Sequence, residues 1–318
     1  MKLWITRPMP PAVEARARAD FDVEIRTGTT PLTLDEMHHA LTGFDAVIPT
    51  LGDMFSAGVF AAVPRPRCKL LANFGVGYNH IDVLAAKATG VQVSNTPGAV
   101  TDATADIAMT LLLATARRAG EGERLVRSGQ WQGWHPTQML GQHVTGKRVG
   151  IVGLGRIGQA IARRCHFGFG MQVAYVARGR KELDFPADFA ADLTALASGV
   201  DFLVVAVPGG AATRHLIDAG VLDAMKPTAM LINIARGEVV DEAALIAALR
   251  SGRIAGAGLD VYEFEPKVPE ALLEMENVTL LPHLGTATEE VRTNMGLMAL
   301  DNVAAFAEGR ALPNAVTP

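Results

Sequence analysis

Val149-Gly150-Ile151-Val152-Gly153-Leu154-Gly155-Arg156-Ile157-Gly158-Gln159-Ala160 is the stretch on which the fold turns. An apolar run that suits a buried strand leads into a G-x-G-x-x-G turn, and the turn opens a stretch of helical character. In that arrangement Gly153 permits the tight turn, Gly155 lets the backbone approach a pyrophosphate, and Gly158 allows close packing of helix on strand. The helix N-terminus adds free N–H groups and a partial positive charge, which suit an anion. Any glycine-rich turn can match this motif by chance. Here the strand before, the helix after and the next strand all fall into place, which predicts the first βα turn of a dinucleotide-binding unit.

Downstream, the next strand is predicted at 172–176. A site selective for NAD usually closes that strand with Asp or Glu, about 20 residues beyond the glycines, for the ribose hydroxyls. This strand ends in Ala177, followed by Arg178, Gly179, Arg180 and Lys181. Without the carboxylate a 2′-phosphate meets no repulsion, and Arg178 and Arg180 offer guanidinium groups to grip it. A basic surface loop has the same composition, so the preference for NADP(H) is an expectation.

Strand–helix alternation continues to about residue 282, with strands predicted at 148–152, 202–207, 229–233, 254–260 and 279–281. Upstream, strands at 3–6, 21–25, 46–49, 70–74 and 91–94 alternate with helices at 11–19, 33–41, 56–63 and 81–89. Thr33 followed by Glu36 forms a plausible capping box. A long alanine-rich helix is predicted at 101–118, an irregular crossing segment at 128–146, and a last helix at 286–309. The pattern is that of an α/β chain with two doubly wound parallel-sheet domains. Clefts between such units are preferred ligand sites.

Composition agrees with two domains. The 318 residues are 49% apolar and 19% charged, enough for packed cores and too apolar for a disordered chain. A net charge of −4 and 6% aromatics argue against a nucleic-acid footprint. Two distant cysteines, Cys68 and Cys165, fit a reducing compartment. The N-terminus is too briefly apolar for a signal peptide, and the longest apolar run, near 107–116, is half of what spans a bilayer. A soluble, cytoplasmic protein is expected, with no membrane partner. No histidines pair with carboxylates or thiols at zinc-like spacing, so no metal is expected.

Three further segments complete a pattern: Ile232-Asn233-Ile234-Ala235-Arg236-Gly237-Glu238, Ala257-Gly258-Leu259-Asp260-Val261-Tyr262-Glu263-Phe264-Glu265-Pro266, and Leu281-Pro282-His283-Leu284-Gly285. With the glycine motif, in this order, they resemble the D-isomer-specific 2-hydroxyacid dehydrogenase family over nearly the whole chain. The resemblance implies that Arg236 binds the substrate carboxylate and polarises its carbonyl. It implies that His283 donates the proton as hydride arrives, and that Glu265 orients the imidazole and raises its pKa. Each residue has a plainer role open to it: a strand-end arginine, a turn glutamate, a satisfied loop histidine. Taken together, the catalytic reading is preferred. The implied cofactor contacts are Thr104, Gly153, Gly155, Arg156, Ile157, Gly158, Ala177, Arg178, Arg180, Val207, Pro208, Ala235, Asp260 and Gly285. Pro208-Gly209-Gly210 departs from the commoner Pro-x-Thr-Pro form.

Asn73-Phe74-Gly75-Val76-Gly77-Tyr78-Asn79-His80 also resembles the family, whose equivalent turn presents the Val76 and Gly77 amides to the substrate carboxylate. A strand-to-helix turn that binds nothing is the alternative. The resemblance places Leu51 where a residue of the first domain can lean over the substrate, and an apolar contact there would suit a small 2-oxo acid. The resemblance further implies a discontinuous substrate domain (1–97 with 288–318) and a Rossmann domain (98–287). Leu51-Gly52-Asp53, the 101–106 stretch, the Trp134 linker and the Ala177-Arg178 strand end look most like glyoxylate/hydroxypyruvate reductases. The expectation is an NADPH-preferring reductase of small 2-oxo acids acting as a homodimer. Alternatives are an NAD-dependent dehydrogenase of a larger 2-oxo acid or of phosphite, and a non-catalytic nucleotide sensor of corepressor type.

Overall fold

A computed structural model of the chain describes residues 1–317 and divides into two compact units, Met1–Val100 with Thr286–Pro318 and Thr101–Gly285. In the first unit, strands β1 (Lys2–Ile5), β2 (Asp22–Ile25), β3 (Ala46–Ile48), β4 (Leu70–Ala72) and β5 (Gln92–Ser94) alternate with helices α1 (Pro11–Asp20), α2 (Leu34–Gly43), α3 (Ala57–Ala62) and α4 (Val83–Ala88). The strands pair in the order β2-β1-β3-β4-β5, all parallel. The β3 and β4 side chains are wholly buried, as expected for strands covered on both faces. One face carries Trp4, Phe44, Phe55 and Phe60; the other carries Leu3, Ile5, Ile48 and Leu70.

The second unit opens with α5 (Thr101–Ala116) and α6 (Ala119–Arg127), and 128–146 has no regular structure apart from turns. It continues through β6 (Arg148–Val152), α7 (Arg156–Arg163), β7 (Gln172–Val176), β8 (Ala187–Phe189), α8 (Leu193–Gly199), β9 (Phe202–Val205) and α9 (Ala219–Ala224). Then come β10 (Met230–Asn233), α10 (Glu242–Arg250), β11 (Gly256–Leu259), α11 (Glu270–Leu273) and β12 (Val278–Leu280). Its sheet runs β12-β11-β10-β9-β6-β7-β8, again parallel throughout. The strand order therefore reverses at β6/β9, and ligands of open α/β sheets bind beyond the carboxyl ends of strands at such a switch. Glycines in β11 let α5 lie close, since a Cβ on Gly258 would come within 3.0 Å of Ile232 and Leu111.

The last helix, α12 (Glu289–Ala307), belongs to the first unit, where it packs on α1 and β4. Gly296 makes the approach possible: a Cβ there would lie 2.5 Å from Val13 Cγ2. The chain then pairs Val316 N–H with Val93 O beside β5. Three elements differ from the sequence reading. The edge strand β8 was not foreseen, because three residues behind Pro186 carry too little alternation to register. The 101–118 stretch breaks at Arg118, which sits at φ 53°, and a separate α6 begins. Past Arg163 the helix loosens into a π-turn over Arg164–Gly168 that buries Cys165.

Candidate active site

The glycine turn leaves β6 at the switch. Gly153 has φ 95°, and a Cβ there would strike Val207 Cγ1 at 2.7 Å and Ala206 O at 2.9 Å. A Cβ on Gly158 would lie 2.1 Å from Gly153 O, so the helix can touch its strand only through glycine. Gly155 differs: nothing would come within 4 Å of its Cβ, and as N-cap of α7 it supplies no side chain. Open backbone, uncapped first-turn amides and the macrodipole together make a cradle that fits a pyrophosphate. Arg156 is exposed and Ile157 half-buried beside it, while Val207 and Pro208 follow β9 on the facing strand end.

Past β7, Ala177 is half-buried and no acid replaces it. The Tyr175 hydroxyl accepts from Lys181 N–H at 2.9 Å, which shapes the basic loop. Arg180 lies over the Phe189 ring, 5.3 Å from its centroid. Arg178 is exposed and makes no hydrogen bond or ion pair among the described residues.

Arg236 follows β10. Asn233, buried at the strand end, accepts from Ala235 N–H and donates to Arg236 O, both at 3.0 Å, and so shapes the turn. Nη1 of Arg236 donates to Ala235 O at 2.7 Å. Burial lowers the Arg236 pKa from its ordinary value; Glu265 and Glu238 oppose that shift. Gly237 closes the distance to the next segment, for a Cβ on it would lie 1.8 Å from the Tyr262 carbonyl carbon.

Glu265 accepts from Tyr262 N–H at 3.1 Å and pairs with His283 Nδ1 at 2.8 Å. Burial pushes the Glu265 carboxyl up, but His283, the Tyr262 amide and Arg236 outweigh it, and the net shift is downward. An ionised carboxylate can only accept, so His283 carries a proton on Nδ1 and turns Nε2 to the other side of its ring. The histidine loop is held from beneath. Asp260, 1% exposed, accepts from Leu284 N–H at 2.6 Å and Gly285 N–H at 2.9 Å. Burial raises its pKa, against those amides. Thr104 Oγ1 donates to Gly285 O at 3.1 Å, and His283 N–H to Asp260 O at 2.9 Å with φ 54° at His283.

A second imidazole–carboxylate contact was not singled out in the sequence. Glu263 Oε1 takes His215 Nε2 at 2.9 Å and Arg214 Nη2 at 2.7 Å, while Glu238 Oε1 accepts from Gly210 N–H at 2.9 Å. These bonds tie the 208–215 loop to the segments bearing Arg236 and Glu265. The only sequence signal was acidic residues beside motif residues, which many surfaces show. Arg236, Glu265 and His283 thus stand at the carboxyl ends of β10, β11 and β12, which are neighbours in one sheet. Ala235 lies buried in the same turn as Arg236.

In the first unit, Leu51 is 42% exposed in the turn after β3, whose Gly52 has φ 96°. Asp53, wholly buried, anchors that turn by accepting from Thr6 Oγ1, Arg7, Leu32 N–H and Thr50 N–H. Val76 and Gly77 are half-buried after β4, and their amides donate to no protein group among the described residues. The described residues include no group of three His, Cys, Asp or Glu that could hold a metal, and no helix long and apolar enough to cross a membrane.

The family profile described as D-isomer specific 2-hydroxyacid dehydrogenase, NAD binding domain, matches residues 109–285. The chain is 45% identical to a glyoxylate reductase of Thermococcus onnurineus, over 99% of this chain and 95% of that one. A solved Thermus thermophilus protein superposes with TM-score 0.92 at 39% identity, covering 100% of both chains. An NADPH-dependent glyoxylate/hydroxypyruvate reductase of Sinorhizobium meliloti, solved with NADP and malonate, has TM-score 0.86 and 37% identity, covering 99% of this chain and 96% of that one.

Proposed function

Because this chain belongs to the D-isomer-specific 2-hydroxyacid dehydrogenase family, in its glyoxylate/hydroxypyruvate reductase branch, we propose that it reduces small 2-oxo acids such as glyoxylate and hydroxypyruvate to 2-hydroxy acids, with NADPH preferred. The observation that carries the reading is the 2.8 Å contact of Glu265 with His283 Nδ1, beside a half-buried Arg236 and in the unit that holds the glycine cradle. A bound nicotinamide dinucleotide supplies the hydride. Arg236 takes the substrate carboxylate and polarises the carbonyl, the Val76 and Gly77 amides take the carboxylate, and Leu51 lies against its apolar side. As the carbonyl carbon becomes tetrahedral, His283 Nε2 gives its proton to the oxygen, and Glu265 stabilises the ring through both protonation states. Asp260 and Thr104 hold the loop on the nicotinamide side.

The missing acid at Ala177 and the free Arg178 support NADPH over NADH. The exposed apolar side chains of α6 and the segment after it, Val126, Trp131, Trp134 and Leu140, the first two lining a cavity of about 320 Å³, support a homodimer. Two buried free thiols, whose pKa values burial raises to about 12, suit the cytoplasm. The decisive measurement is the initial rate of NADPH and NADH oxidation with glyoxylate, hydroxypyruvate, pyruvate and phenylpyruvate. Fast turnover of the small acids with NADPH is expected. Preference for NADH would remove the Arg178 argument, and tight nucleotide binding without turnover would move the protein to the sensor class.

A further inference from the structure

The 75–77 turn of the first unit has every carbonyl committed to the protein. Asn73, wholly buried beyond β4, donates through Nδ2 to Gly75 O and to Gly77 O, each at 3.0 Å. Thr96 N–H adds a second bond to Gly75 O at 3.0 Å. Asn95, just past β5, donates through Nδ2 to Val76 O at 2.8 Å. The remaining polar atom of Asn73, Oδ1, meets His80 Nε2 at 2.9 Å. Gly75 O and Gly77 O can only accept, so they fix Nδ2 on their side of the Asn73 amide, and Oδ1 then accepts from His80 Nε2. The flipped amide would set an oxygen against two carbonyls.

In a planar trans peptide the C=O and the following N–H point in opposite directions. Drawing Gly75 O inward therefore turns the Val76 N–H outward, and drawing Val76 O inward does the same for the Gly77 N–H. Among the described residues neither amide donates to a protein group. We infer that Asn73 and Asn95 are positioning residues for the substrate carboxylate: Asn73 with the Thr96 amide sets the Val76 N–H, and Asn95 sets the Gly77 N–H. Neither side chain touches the substrate. The inference rests on the proposed role of these amides and deepens it by assigning the groups that pre-organise them.

The test uses Asn73→Asp, which replaces two donors by an acceptor at constant shape, and Asn95→Ala, a half-buried site that keeps the variant pair informative should the first fail to fold. Both are assayed with NADPH against glyoxylate and against methyl glyoxylate, which keeps the carbonyl and lacks the carboxylate. The expected result is a KM for glyoxylate raised about five- to tenfold in each variant, the scale of one lost hydrogen bond. The kcat, the KM for NADPH and the rate with the ester stay nearly unchanged. Equal losses on acid and ester, or an unchanged KM for glyoxylate in folded variants, would overturn the inference. Amide NMR of the wild-type NADP complex, labelled at glycine and valine and titrated with oxalate, separates the two levels. Val76 and Gly77 signals that move while the variants keep their KM leave the carboxylate role standing and remove the positioning role. Signals that do not move remove both.

Discussion

Glu265 occupies the Nδ1 edge of His283, so Nε2 is the nitrogen left for the proposed proton transfer. His283→Gln removes that proton and is expected to lower kcat about 10²- to 10⁴-fold, with NADPH affinity kept, as read by steady-state rates and nucleotide titration. A comparable loss of NADPH binding would instead make His283 a structural loop residue. The depressed pKa of Glu265 also links the pair to stability. Its contribution is whole above the ordinary glutamate value of 4.5 and is lost as pH falls through the lower folded-state value. Melting temperature should therefore fall more steeply below pH 4.5 in the wild type than in Glu265→Gln. Parallel curves would show that the contact adds nothing to folding. Arg236, Glu265 and His283 could each be named from local motifs. Of the residues beneath them, Asp260 reads from sequence only as a cofactor contact and not as the anchor of the histidine loop, and Asn233 and Glu263 could be named but not given work, because a polar side chain at a strand end reads the same whether it meets solvent or a buried amide.

Elements were legible where their signals are local. The capping box expected at Thr33 and Glu36 is present, each side chain bonded to the other's backbone N–H at the start of α2. Thr33→Ala should cost about 1 kcal/mol in urea unfolding. The glycine turn allows a sharper pair of predictions. Gly158→Ala puts a methyl 2.1 Å from Gly153 O, and it should destabilise the fold by about 2 kcal/mol or more and abolish dinucleotide binding. Gly155→Ala meets nothing within 4 Å, so its melting temperature should stay near the wild type while dinucleotide affinity drops. A Gly155→Ala protein that binds normally would place the pyrophosphate elsewhere. What escaped the sequence at this scale was short or edge structure. β8 has three residues and one neighbour, so no burial pattern distinguishes it from a loop. The start of α6 depends on Arg118 adopting a left-handed backbone, which no spacing announces.

At the scale of the whole molecule, the homodimer proposal predicts twice the chain mass of 33.6 kDa in sedimentation equilibrium. Val126→Glu on the exposed face of α6 should shift the protein towards monomer, whereas a monomeric wild type would leave that surface to another partner. The sequence by itself determined the α/β class, the glycine turn and the residues proposed to carry the chemistry. Each of these depends on spacing along the chain: period, turn residues and short motifs. Tertiary structure alone decided the strand order and hence which strand ends are neighbours. Glu265 and His283 meet because β11 and β12 pair, and Arg236 joins them because Gly237 lets its backbone press on Tyr262. The same holds for the 75–77 turn, where side chains from two strand ends decide which way the amides face. Those contacts come from hydrogen bonds and packing between segments far apart in sequence, and their energy exists only once the sheet has brought the segments together.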